Sequence, residues 1–72
     1  MNETQAVDEL ERCLELLRTR PTVSPQAAAV LMDVSLPTMY ASLKAGAMPS
    51  VRIGSRWCIP SARLREMLGI EG

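Results

Sequence analysis

The sequence contains no histidine, only two cysteines, and eight acidic residues balanced by eight basic ones, so its formal net charge is zero. Without histidine, with scattered serines and no glycine-rich phosphate loop, it offers no nucleophile–base pair and no phosphate cradle, and catalysis is not expected. Cys13 and Cys58 would need two further ligands to close a structural zinc site, and carboxylates are poor candidates. The opening stretch "MNETQAVDEL" is polar and acidic, which does not suit a signal peptide, so nothing supplies the secretory context a disulfide would need. The longest apolar run, Ala27 to Met32, is far too short to span a bilayer. These absences point to a cytoplasmic protein that is not an enzyme and uses no metal or cofactor.

At 72 residues the chain is one small domain with room for a modest core and little room for a deep pocket. A binding module is the natural expectation. The neutral total hides an asymmetry. Residues 1–19 carry Glu3, Asp8, Glu9, Glu11 and Glu15 against Arg12 and Arg18. The remainder carries Arg20, Lys44, Arg52, Arg56, Arg63 and Arg65 against Asp33, Glu66 and Glu71. An acidic segment joined to a basic one hints at an anionic partner.

Ala6, Leu10, Cys13, Leu14 and Leu17 recur at helical spacing and predict a helix over 3–19, capped by Asn2 and ended by Pro21. Val7 and Leu16 fall off that stripe, so this helix either packs on the domain or meets another chain. Ser24 before Pro25 reads as an N-cap with proline in the first turn, opening a helix to about Leu31. Met32, Asp33 and Val34 form a short connection, and Ser35 caps a second helix that carries Pro37 in its first turn and stops at Gly46. Ala27, Ala28 and Ala29 allow the two helices to cross closely, with Leu31, Val34, Met39 and Leu43 filling the space between them. Tyr40 is expected to be half-buried.

Two short strands and a last helix follow Pro49. A loop of Gly54 and Ser55 alone would pair Ile53 with Arg56 and mix charged and apolar residues on both faces. A three-residue loop, Gly54 to Arg56, pairs Ile53 with Trp57 and Val51 with Ile59, gathering four apolar side chains on one face. One buried face fixes register, so the longer loop is expected, with Arg52 and Cys58 on the outer face. Trp57 is then core between the hairpin and the last helix. Pro60 and Ser61 open that helix, Leu64, Met67 and Leu68 face inward, and Gly69 stops it.

The predicted fold is mainly α with a small β-hairpin: a winged helix-turn-helix over 22–69, preceded by an extra N-terminal helix over 1–20. The stretch "VSPQAAAVLMDVSLPTMYASLKAGAMPSVRIGSRWCIPSARLREML" resembles the excisionase and MerR-like winged-helix family. The resemblance rests on Val34 and Ser35, Thr38 to Tyr40, Gly46, Pro49, Arg52 to Gly54, and Arg56 to Pro60, and covers about residues 22–68. It implies that Ser35, Leu36, Pro37, Thr38, Ala41 and Lys44 face the DNA major groove. It further implies that Gly54, Ser55 and Arg56 form a wing tip over the minor groove or backbone, and that Arg52 reaches a phosphate. The sequence departs from the family where Leu36 and Ala41 replace commonly basic residues and Ser42 replaces an aliphatic one. Lys44 is therefore the only cation on the recognition helix, and phosphate neutralisation by a single copy is modest.

Excisionases, the recombination directionality factors of this family, bind and bend attachment-site DNA and steer a phage integrase toward excision. The expectation is a protein of that type, with double-stranded DNA and an integrase as partners and with cooperative binding or self-association through the acidic helix. Because residues 22–68 contain the whole motif, they are expected to fold without that helix. A small transcriptional regulator is the alternative, as is a winged-helix interaction or packaging module with weak DNA binding.

Overall fold

The computed structural model describes residues 3–71, with side chains from residue 7 onward. The elements are α1 (Glu3–Thr19), β1 (Thr22–Val23), α2 (Pro25–Met32), α3 (Leu36–Lys44), β2 (Val51–Ile53), β3 (Arg56–Pro60) and α4 (Ser61–Leu68). The chain is thus mainly helical, with one small antiparallel sheet in the order β1-β3-β2. Asn2, the expected cap of α1, lies outside the described residues. Among the described residues no helix is long and apolar enough to cross a membrane.

Local chemistry explains most boundaries. Ser24 and Ser35 take extended backbone angles, and their hydroxyls accept from the N–H groups of Ala27 and Thr38, satisfying donors the first turn leaves free. At the other ends, α2, α3 and α4 close with the same pair of reversed hydrogen bonds. After α3 the N–H of Gly46 donates to Leu43 and that of Ala47 to Ser42, and after α4 those of Gly69 and Ile70 donate to Glu66 and Arg65. After α2 the left-handed position is filled by Asp33 (φ 56°), with Val34 donating to Ala29. Aspartate tolerates this conformation better than most side chains.

Leu17, Ala28, Ile59 and Leu64 are fully buried, with Cys13, Met39 and Leu43 close behind. Ala27 and Ala29 are also buried, as the close approach of α2 and α3 requires. Two expected fillers are not in this core: Val34 is 38% exposed and Met67 50% exposed. Val34 follows the left-handed Asp33, which redirects the chain after α2, and Met67 sits on the outer side of α4.

The second half of α1 belongs to the same core, so the division between 1–20 and 22–69 does not separate two cores. Cys13 and Leu17 insert beside α2 and α4, and the guanidinium of Arg65 donates from Nη1 to the Leu17 carbonyl (2.8 Å). That carbonyl is one of the acceptors a helix end leaves free, and a cation there also suits the helix dipole. Burial, and secondarily the nearby Glu9, raise the Cys13 thiol pKa, against a smaller opposing pull from Arg12. Both cysteines are free. The first half of α1 leaves Val7 and Leu10 exposed.

β1 was not anticipated. Thr22 and Val23 pair with Pro60 and Ile59, and the Ser61 N–H donates to the Pro21 carbonyl (2.9 Å). That carbonyl caps the start of α4, where Pro60 supplies no side-chain cap.

The hairpin corrects the expected register. Ile53 pairs with Arg56, Arg52 with Trp57 and Val51 with Cys58, so the loop is Gly54 and Ser55 alone. Gly54 has φ 61° and Ser55 does not share the left-handed region, which is the glycine-first requirement of a type II′ turn. A longer loop would be favoured only if one face of the hairpin were buried. All three residues of β2 are exposed, Ile53 by 64%, so no burial opposes the turn that Gly-Ser favours. Strand alternation puts Arg52, Trp57 and Ile59 on one face and leaves Val51 and Ile53 on the other, facing solvent.

Leu17→Ala is expected to cost about 2–5 kcal/mol, read as a lower urea midpoint with an unchanged slope; a cost under ~1 kcal/mol would remove α1 from the core. Ser61 is 1% exposed and its hydroxyl has no hydrogen-bond partner among the described residues. Ser61→Ala is therefore expected to stabilise the fold by about 1 kcal/mol, and destabilisation by that variant in the same titration would show that the hydroxyl is satisfied.

Candidate nucleic-acid interface

The Ser35 cap starts α3 and also ties down Thr38. Its hydroxyl accepts from the Thr38 N–H (3.3 Å) and donates to Thr38 Oγ1 (2.8 Å). Met39 and Leu43 turn into the core, with Tyr40 half-buried beside them. The opposite face of α3 carries Pro37, Thr38, Ala41 and Lys44, all exposed. Thr38, Ala41 and Lys44 follow one another at three-residue spacing and form a row of two small side chains and one cation.

Leu36 departs from this group. It is half-buried and lines a groove toward α1 with Leu10 and Val34. Two positions before Thr38 is roughly 200° of helical turn, so Leu36 points nearly opposite Thr38, toward the side of α3 that carries Tyr40 and Leu43.

In the hairpin, Arg52, Gly54, Ser55 and Arg56 are all exposed. Arg52 is not on the outer face. Its guanidinium lies 4.6 Å from the centroid of the Trp57 ring, and its Nε–H donates to the Gly54 carbonyl at 3.3 Å. Because Arg52 is directly opposite Trp57 in the ladder, the stacking follows from the short-loop register. An exposed contact of this kind contributes about 0.5–1 kcal/mol. It holds the cation against the strand and near the turn.

A cleft of about 200 Å³ joins the hairpin to the helices. Ser55, Arg56 and Trp57 form one wall, and Tyr40 of α3 with Ser24 and Gln26 at the start of α2 form the other. Trp57 is half-buried here, facing this cleft and the core. The cleft contains one cation and no carboxylate. Among the described residues the one ion pair joins the exposed Arg63 and Glu66 (4.0 Å), so no carboxylate offsets Lys44, Arg52 or Arg56. Ser24 and Gln26 were not singled out from the sequence. Ser24 was legible as a cap, but only the tertiary arrangement sets the hairpin tip beside it.

The assembled groups are hydroxyls, an amide, a phenol and guanidinium ions. They can donate hydrogen bonds to anions and neutralise them. Among the described residues no cluster of three or more acidic or cysteine side chains is placed to hold a metal ion. No protein-family model, no curated protein and no solved structure matches the chain.

Proposed function

We propose that the chain is a winged helix-turn-helix protein that binds double-stranded DNA, with α3 as the recognition helix and the β2–β3 hairpin as the wing. The observation that carries this reading is the cleft in which the hairpin tip, α3 and the start of α2 meet. It sets the Arg52–Arg56 turn beside α3, whose outer row contains no acidic residue. Between Val34 and Arg65 every charged residue is a cation: Lys44, Arg52, Arg56, Arg63 and Arg65. A helix with short side chains on its outer row can approach base edges closely, and Thr38 and Ala41 suit contact with thymine methyl groups. The wing arginines suit phosphate or the minor groove.

The resemblance to excisionases narrows the proposal to an architectural role. The chain binds and bends attachment-site DNA, acts in several copies, and directs a phage integrase toward excision. Its few cations make a single copy a weak binder, which is consistent with action in tandem. Bending is read by circular permutation of a site recovered by in vitro selection; an unbent, single-copy complex would favour a transcriptional regulator instead.

Binding itself is read by fluorescence anisotropy with a random duplex across a salt series. Arg56→Ala is expected to weaken all duplexes about equally and to flatten the slope of log affinity against log salt by roughly 0.9. An unchanged slope would take Arg56 off the DNA.

Thr38→Ala is expected to cost about 1–3 kcal/mol at the selected site and little on random duplex. Equal losses on both would reassign Thr38 to the backbone or to its structural bond with Ser35.

A further inference from the structure

A second concavity, about 660 Å³, lies between α1 and the α2–α3 turn. Its surface is mainly apolar, formed by Leu10, Val30, Leu31, Val34 and Leu36, with Glu9, Gln26 and Asp33 adding polar groups. Leu10 and Val34 remain 39% and 38% exposed although the chain has few large apolar side chains to spare. The charged residues lining it are Glu9 and Asp33, both carboxylates. The site shares only Gln26 with the cleft beside the hairpin, so filling one leaves the cations of the other free.

The charge decides the occupant. A second copy meeting this face with the same face would bring Glu9 and Asp33 against their own equivalents, a like-charge contact that costs affinity. A nucleic acid backbone is excluded for the same reason. Walls made by α1 on one side and by α2 and its turn on the other suit a helix laid between them, with apolar anchors at helical spacing. We propose that this groove docks an amphipathic helix of another protein, whose apolar stripe is flanked by lysine or arginine that meets Glu9 and Asp33.

The test uses the full chain, isotopically labelled, and two synthetic amphipathic peptides of about 14 residues, four helical turns. One carries leucine and lysine, the other the same leucines with glutamate. The leucine–lysine peptide is expected to shift the amides of Leu10 and of residues 30–36 saturably, with affinity falling as salt rises. The glutamate peptide is expected to bind about tenfold more weakly. Glu9→Gln combined with Asp33→Asn should erase that difference, since asparagine still tolerates the left-handed position at 33. If circular dichroism shows the double variant misfolded, Glu9→Gln alone, expected to narrow the difference, carries the comparison. Equal affinity of the two peptides for the unaltered chain, shifts centred outside the groove, or no saturable binding would overturn the proposal. So would a doubled mass in light scattering with groove amides shifting on dilution, which would assign the face to a second copy of the chain.

Discussion

The fold depends on Ile59. It is fully buried in the middle of the molecule on β3, the strand that pairs with both β1 and β2. At its end of β3 the backbone is clamped by Val23, and the following residue but one, Ser61, bonds the Pro21 carbonyl. At the other end, Arg56 is in solvent and Trp57 is half-buried. One five-residue strand therefore runs from the core to the hairpin tip. Its inner end is fixed by packing from α2 and α4 and by pairing with β1. Its outer end is held by the turn, the ladder to β2, the Arg52–Trp57 stack and the partial burial of Trp57 against the core.

That gradient explains which features were legible in the sequence. The helix boundaries were, because their determinants are local: Ser24 with Pro25, Ser35 with Pro37, Gly46 and Gly69 each act on neighbouring backbone. The hairpin register was not, because the apolar pattern implies a buried face that the tip does not have. There the two residues Gly54 and Ser55 outweighed the apolar pattern of Val51 and Ile53. β1 is only two residues long, and its partner is far along the chain, so no periodicity announces it. The resemblance places Leu36 in the outer row of α3 with Thr38 and Ala41, whereas Leu36 is half-buried against the core. Helical periodicity alone separates them, since Leu36 falls on the stripe of Tyr40 and Leu43, nearly opposite Thr38.

The neutral net charge conceals two surfaces of opposite sign on either side of α2. Near the hairpin the exposed charges are cations, while the groove toward α1 is lined by carboxylates. A neutral molecule gains little long-range attraction to a polyanion, and at physiological salt the field of each surface fades within about 8 Å. Each surface therefore acts at contact. Turning the molecule over exchanges the cations near the hairpin for the carboxylates of the groove.

The bond from Arg65 to the Leu17 carbonyl joins positions 48 residues apart, and β1 waits for Ile59 and Pro60 before it has a ladder. During synthesis, α1 can form early as an isolated helix, but its buried side chains have nothing complete to pack against until α4 has left the ribosome. Local turns and caps in α2 and α3 need no such distant partner, whereas the core around Cys13 and Leu17 needs residues from both α1 and α4. Closing it therefore costs the entropy of a long loop, which the local helical contacts do not.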